Sequence, residues 1–417
     1  MKKEFMNSIW MIIDKILVMI SGLIWMSILS RSLSLGEFGE YQYIVSFVSM
    51  LLPVVAMGLN GIANKEIIIN KSNKVITNIF LIKLTAAIMI FSIVSIYLYN
   101  DEEWYAWLIY SSVLFAYSFQ VIESLNQSES KSMVTTKVRL VSSVFFLLVK
   151  IIYFYKYDLR VYESLALQAA EIWVYFFLLF LATKVNIHKC KNEICFKYIK
   201  YIVPMGSVLI LSGFAESLNL KLDQVLLKSL VDSEEVAVYS VAARLSEVWY
   251  FFPAAIVTSF LPKYIKARNE SLVLYYSLIR KTILILILIS CLITGGLFVF
   301  GEWLIGFIFG KDFSSSYNIL MIHMMAMPLV FARAMFSKWL IIEGKLKYSL
   351  YSHLLGASVN VCLNLALIPV YGAVGAAIAT VVSYSISSFI FLFIFKDTRV
   401  YLEYVIFKKR KIEKNIA

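Results

Sequence analysis

Twelve apolar stretches, each about 20 residues long, follow one another between residues 8 and 395, and this alternation leaves few folds open. A helix needs about 20 apolar residues to cross the hydrocarbon of a bilayer, and it satisfies its own backbone hydrogen bonds there. The stretches lie at 8–30, 40–62, 75–99, 104–125, 135–156, 161–182, 201–221, 235–260, 275–300, 315–342, 348–369 and 372–395. The expected fold class is all-α integral membrane, with about 12 transmembrane helices. Composition agrees, with 60% of 417 residues hydrophobic and 16% charged. At a mean hydropathy of +0.79 a soluble domain of this size would carry an oily surface. No small-residue cleavage site follows the first stretch, so that stretch is expected to be retained as a spanning helix.

The net charge of +12 does not point to nucleic acid, because the basic residues sit in short clusters between apolar runs. Such clusters orient membrane proteins. Of 39 lysines and arginines, 27 fall at the termini and in even-numbered connections and 6 in odd-numbered ones. Both termini are therefore expected to be cytoplasmic, with the acidic clusters Asp101, Glu102, Glu103 and Asp232, Glu234, Glu235 outside. The longest cytoplasmic connection, TKVNIHKCKNEICFKYIK, divides the spans six and six. This gives an N-terminal six-helix lobe, 1–190, and a C-terminal six-helix lobe with a basic cytoplasmic tail, 191–417. An internal echo fits two pseudo-symmetric bundles: RSLSLGEFGEYQY resembles KSLVDSEEVAVYS, and LLPVVA at 51–56 resembles FFPAAI at 251–256. Parallel repeats about an axis along the membrane normal are a known transporter plan, with cargo between the halves. Pro53, Pro204, Pro253 and Pro328 fall within expected spans, where each removes a backbone hydrogen bond and can kink a helix.

Several chemistries are excluded or disfavoured. No G-x-x-x-x-G-K-[ST] loop occurs, so ATP is not the direct drive. Neither His323 nor His353 has a Ser, Cys or carboxylate at catalytic spacing. Four cysteines make no disulfide framework, and His188, Cys190 and Cys195 read as part of a basic loop rather than a metal site. Asp101, Glu102 and Glu103 read as a solvated acidic loop. No cofactor is implied, and the chain is expected to be a transporter, not an enzyme.

What is present is a set of ionisable residues inside apolar segments, each costing a few kcal/mol or more at membrane depth unless it meets a partner or a watery cavity. Arg244 stands about ten residues into its segment, roughly 15 Å at helical rise. The basic set Arg244, Arg333, Lys83, Lys15 and Lys150 forms a candidate cationic lumen suited to an anionic head group. Glu247, Glu171, Glu216, Asp14 and Asp223 are candidate charge partners or coupling groups. Some of these have plain structural explanations: Lys150 and Lys338 can snorkel, and Arg244 and Glu247, one turn apart, can neutralise each other.

The segments RSLSLGEFGEYQY, LDQVLLKSLVDSEEVAVYSVAARLSE and NLALIPVYGAVGAAIATVVS resemble the polysaccharide transporters of the multidrug/oligosaccharidyl-lipid/polysaccharide (MOP) exporter superfamily, in particular the Wzx-type O-antigen flippases. The most specific part runs through Ile368, Pro369, Tyr371, Gly372, Gly375, Ala376, Ala377 and Thr380. The resemblance implies two six-helix bundles alternating between inward- and outward-open states in the bacterial inner membrane. It implies as cargo an undecaprenyl-pyrophosphate-linked oligosaccharide, and as further partners membrane lipids, H+ or Na+, and the polymerase and chain-length regulator of the same pathway. Related readings remain: a drug exporter or a lipid-linked peptidoglycan precursor flippase of the same superfamily, and, from another class, a membrane O-antigen polymerase or ligase.

Overall fold

The segment RSLSLGEFGEYQY is a helix start. Helix α1 (Lys2–Ser32) ends just before Ser34, whose hydroxyl accepts from Glu37 N at 3.3 Å while the Glu37 carboxylate accepts from Ser34 N at 2.9 Å. This reciprocal capping box opens α2 (Leu35–Val55). Its echo, KSLVDSEEVAVYS, uses the same spacing: the Asp232 carboxylate accepts from Glu235 N at 2.9 Å. The echoed sequence thus encodes a side-chain N-cap at the same spacing twice, reciprocal only in the first copy.

A computed structural model describes residues 2–70, 73–99, 104–183 and 194–406, and every regular element among them is helical. His188, Cys190 and the acidic run 101–103 lie outside the described residues. The contacts fall into two compact units, Met1–Val225 and Leu226–Ala417.

The first unit contains α1, α2, α3 (Leu59–Asn70), α4 (Asn73–Tyr97), α5 (Trp104–Ser111), α6 (Val113–Ala116), a 3-10 turn (Tyr117–Gln120), α7 (Val121–Ser128), α8 (Ser132–Lys156), α9 (Val161–Thr183) and most of α10 (Phe196–Leu230). Its core includes Leu59, Ala63, Ile79, Ala116, Leu179 and Ile202. Because lipid tails are as apolar as these side chains, close packing and internal polar contacts hold such a bundle together.

Two helices of this unit are broken where they meet. Between α2 and α3 the chain turns through Met57 and Gly58, with φ of 50° and 62°, and α10 bends by 44° between 196–207 and 209–230. A Cβ on Gly206 would stand 2.2 Å from Met57 O, and one on Gly58 would stand 2.3 Å from Gly206 O. Only two glycines permit backbone to touch backbone so closely. On either side of this point Ser46 hydrogen-bonds Gln224, and Tyr198 donates to Glu66 at 3.1 Å. The pairs Ser46–Gln224, Gly58–Gly206 and Glu66–Tyr198 describe an antiparallel register along both helices. Pro53 lies two residues before the end of α2, and Pro204 three residues before the bend of α10.

The second unit holds α11 (Ser233–Glu247), α12 (Phe251–Ser259), α13 (Leu261–Glu270), α14 (Leu272–Ile308), α15 (Ser316–Met324), α16 (Met327–Ile342), α17 (Lys347–Ser385), α18 (Phe391–Ile394) and α19 (Lys396–Tyr401). Pro253 and Pro328 occupy the first turns of α12 and α16, where a missing N–H costs nothing. They start helices rather than kink them. At Gly372 the backbone of α17 leaves the helical region (φ 54°, ψ −135°), and the Glu235 carboxylate accepts from Ala373 N at 2.5 Å. A side chain at 372 would collide with that carboxylate.

Among the described residues, eight helices are long and apolar enough to cross a membrane, or up to ten if each of two bent pairs is one span. The expectation of twelve counted 235–260 as one span and 348–395 as two. In the structure the former is divided by a 3-10 turn at Val248–Tyr250, whereas the latter is two helices meeting at the break at Gly372, where one expected span ends and the next begins. The chain is a multi-pass membrane protein.

Candidate functional site

Among the described residues of the first unit, the largest cluster of paired charge is built on α8. Ser132, Thr135, Thr136, Arg139 and Ser142 recur at helical spacing on one face. Asn7 Oδ1 accepts from Ser132 N at 2.8 Å and Thr136 Oγ1 donates to Trp10 O at 2.9 Å, fastening α8 to α1. This brings Arg139 against Asp14: Nε donates to Asp14 Oδ1 at 2.7 Å. Nη2 donates to Glu123 Oε1 and to the Tyr175 hydroxyl, both at 2.7 Å. The Tyr175 hydroxyl donates in turn to Glu123 Oε1 at 2.5 Å, and the guanidinium lies 3.9 Å from the Tyr175 ring centre. The side chains of Arg139, Asp14 and Glu123 are only 18%, 12% and 15% exposed. One guanidinium thus serves two buried carboxylates, a fork geometry lysine cannot reproduce. A small cleft lined by Asp14, Lys15, Glu123, Gln127, Thr135 and Thr136 opens beside it.

Two further buried cations lie in the same unit. Lys150 Nζ pairs with Glu171 Oε2 at 2.5 Å, donates to Gln168 Oε1 at 3.0 Å and stands 4.4 Å from the Trp25 ring centre. Trp25 Nε1 donates to the Tyr41 hydroxyl at 3.0 Å. Lys83 is wholly buried and donates to Asn60 Oδ1 at 2.5 Å.

The sequence-derived candidates therefore separate by environment. Asp14 belongs to the Arg139 cluster, with Lys15 exposed at the cleft beside it. Lys150 and Glu171 form one pair. Asp223 is buried and Glu216 exposed on α10. In the second unit Arg244 and Glu247 are half-buried at the end of α11. Arg333, also half-buried, donates from Nη1 to Ser387 O at 3.0 Å. His323 of α15 meets the Ser246 hydroxyl at 2.8 Å, and Ser246 stands between Arg244 and Glu247 in the chain. Sequence reasoning missed Arg139, which it counted among the 27 basic residues of the cytoplasmic side although residue 139 falls at the start of the expected span 135–156, and with it Glu123, Tyr175 and Asn60. The polar stripe along Ser132 to Ser142 is the signal that could have found Arg139.

Outside the spans, Arg268 makes a bidentate contact with Glu343 at 2.8 and 3.3 Å. Lys345 Nζ reaches Asp397 Oδ1 at 3.0 Å, and the Tyr348 hydroxyl donates to Asp397 Oδ2. These two bonds, Tyr348 first, hold the Asp397 carboxyl below its ordinary range.

Residues 5–264 match the profile of a family described as "Polysaccharide biosynthesis protein". The chain belongs to that family. The chain is also 25% identical over 215 residues to the capsular polysaccharide biosynthesis protein CapF of Staphylococcus aureus, a match covering 51% of this chain and 53% of that one. The chain thus spans about half the length of the curated relative it matches. Among solved structures, this family member is similar to an inward-facing MATE multidrug resistance transporter of the MOP superfamily. The TM-score is 0.74 at 13% identity, over 93% of this chain and 95% of that one. It is equally similar to the lipid II flippase MurJ in an inward closed conformation, with TM-score 0.74 at 16% identity over 93% and 87% of the two chains. At such identities these likenesses establish the fold, that of MOP-superfamily transporters.

Proposed function

We propose that this protein flips an undecaprenyl-pyrophosphate-linked oligosaccharide, an O-antigen-type repeat unit, from the cytoplasmic to the outer face of the bacterial inner membrane. It does so by alternating access coupled to an ion gradient, with both termini cytoplasmic. The observation that carries this reading is the conjunction of a polysaccharide-biosynthesis family match with the fold of an exporter superfamily. The curated relative's role in capsular polysaccharide biosynthesis supports a surface-glycan cargo. The chemistry of the cargo follows: its lipid tail stays in the bilayer, while its pyrophosphate and sugars need polar, cationic surroundings to cross. Arg244 and Arg333 keep partial exposure that Lys83 and Lys150 lack, which supports the two arginines as head-group contacts. The acidic residues Asp14, Glu171, Glu216, Glu247 and Asp223 are the candidates to sense the gradient. Flipped units would pass to a polymerase and its chain-length regulator.

The test is deletion followed by localisation of the glycolipid. Single lipid-linked repeat units should accumulate at the cytoplasmic face with no polymer outside. Unpolymerised units at the outer face would move the assignment to a polymerase.

A further inference from the structure

Lys83 is buried differently from Arg139 and Lys150. Its ammonium is fully enclosed, its one hydrogen bond runs to the neutral Asn60 amide, and no carboxylate lies within ion-pair distance of it among the described residues. An ammonium so placed either keeps its charge with two N–H groups unsatisfied or gives up a proton. The neighbouring cluster makes both forms tenable. Asp14 and Glu123 share the single Arg139 guanidinium, leaving one surplus negative charge in the interior. Glu123 acts electrostatically on Lys83 from beyond contact distance. A charged Lys83 completes neutrality, and a neutral one leaves the surplus on Glu123.

The other groups on the helices packed against α4 are accounted for. Glu66 of α3 is held by Asn70 and Tyr198, and Lys65 is exposed. Glu37 of α2 closes its capping box, and Glu40 follows it, half-buried, in the second turn. Tyr41 and Tyr43 of α2 engage Trp25 and Trp107, α5 brings Tyr105 and Tyr110, and Tyr117 faces Glu123 and Arg139. Lys15 acts on Asp14 from the exposed side.

The partner of Lys83 is itself informative. Asn60 stands two residues beyond Gly58, at the start of the helix that follows the Met57–Gly58 break, where α3 is pinned to Gly206 of the bent α10. The charge on Lys83 therefore bears on the place where two broken helices touch through their backbones. We propose that Lys83 binds and releases the coupling proton of this transporter, and that the Met57–Gly58 break is the element its charge state moves. On release an N–H bond of the ammonium breaks and the proton passes to water admitted as the break opens; uptake reverses the step. This rests on the ion-coupled export reading above and names the ion and its site.

The experiment uses the full chain in proteoliposomes loaded with a pH-sensitive dye, with an undecaprenyl-pyrophosphate-linked disaccharide as probe. Sugar movement and proton movement are recorded separately across a range of pH. The parent should move protons with the sugar and show a pH-dependent rate. Lys83→Met and the permanently charged Lys83→Arg should each lose the proton flux and flatten the pH profile while still passing sugar down its own gradient. Lys65→Met, which removes an exposed lysine of α3, should keep the pH profile. If either Lys83 variant fails to fold, Asn60→Ala, which strips Lys83 of its acceptor, should shift the profile with the protein intact. Sugar-coupled proton flux that survives in a folded Lys83 variant, or an unshifted Asn60→Ala profile, overturns the proposal. A parent protein that takes up protons through Lys83 but moves no sugar would instead remove the cargo reading and leave the proton site standing.

Discussion

Replacing Arg139 by methionine removes the single cation that two buried carboxylates share, at 2.7 Å from each. Breaking a buried pair from one side costs about 3–5 kcal/mol, because the abandoned charge stays in a poor solvent. Lost contact with the Tyr175 face adds up to about 1–2 kcal/mol. Against a total stability of about 5–15 kcal/mol this is a large fraction. For a unit of this size each kcal/mol moves the melting temperature by about 2–4 °C, so Arg139→Met should melt at least about 6 °C below the parent in detergent. The same reasoning predicts recovery. With Asp14→Asn and Glu123→Gln added, no charge is left stranded, and replacing a whole buried ion cluster is often neutral. The triple variant should regain most of the loss, and Arg139→Lys should fall between, since an ammonium cannot fork to both acids. Thermal unfolding followed by size-exclusion chromatography reads all three. An Arg139→Met protein melting with the parent, or a triple variant no better than the single, would refute the argument.

Gly206→Ala places a methyl group 2.2 Å from Met57 O, and should lower transport sharply while the Gly213→Ala control, whose Cβ meets only Pro53 at 3.4 Å, does not; glycolipid flipping in cells separates them. Asp397 is held below its ordinary range by Tyr348 and Lys345, so its contribution is present above the usual carboxylate range near about pH 4 and is lost as pH falls through the depressed value. Asp397→Asn should accordingly melt below the parent at neutral pH and converge with it in acid. Cysteine substitutions at Lys191 and Lys408 should be protected from an impermeant maleimide in intact cells, and those at Asp101 and Lys311 should label; labelling of 101 and 191 from one side would break the topology. If Arg244 contacts pyrophosphate, Arg244→Ala and Arg244→Ala/Glu247→Ala should both stop flipping in folded protein, with Arg244→Lys partly active. A fully active double variant would remove Arg244 from the site.

The helical membrane class was legible because apolar length alone dictates it, and the two capping segments were visible as an echo before their geometry was known. The broken helices were less so. Proline at 253 and 328 reads as a kink in sequence, yet both residues begin helices, since position within the helix decides what a missing N–H costs. The Gly58–Gly206 contact was invisible because neither glycine carries a pattern; only distant register brings them together. Arg139 was misplaced for a related reason. Lys131, Lys137 and Arg139 look alike as a basic cluster, and whether one of them turns inward depends on α1, more than a hundred residues earlier.

The antiparallel pairing of residues 35–70 with 196–230 also sets a timetable for synthesis. Ser46 leaves the ribosome 178 residues before its partner Gln224, which at bacterial elongation rates of roughly 5–20 residues per second is an interval of roughly 10–35 s. Throughout it Leu59, Ala63 and Ile67 lack Ile202 and its neighbours. A ribosome stalled before residue 196 would leave that face of α3 without its partner helix.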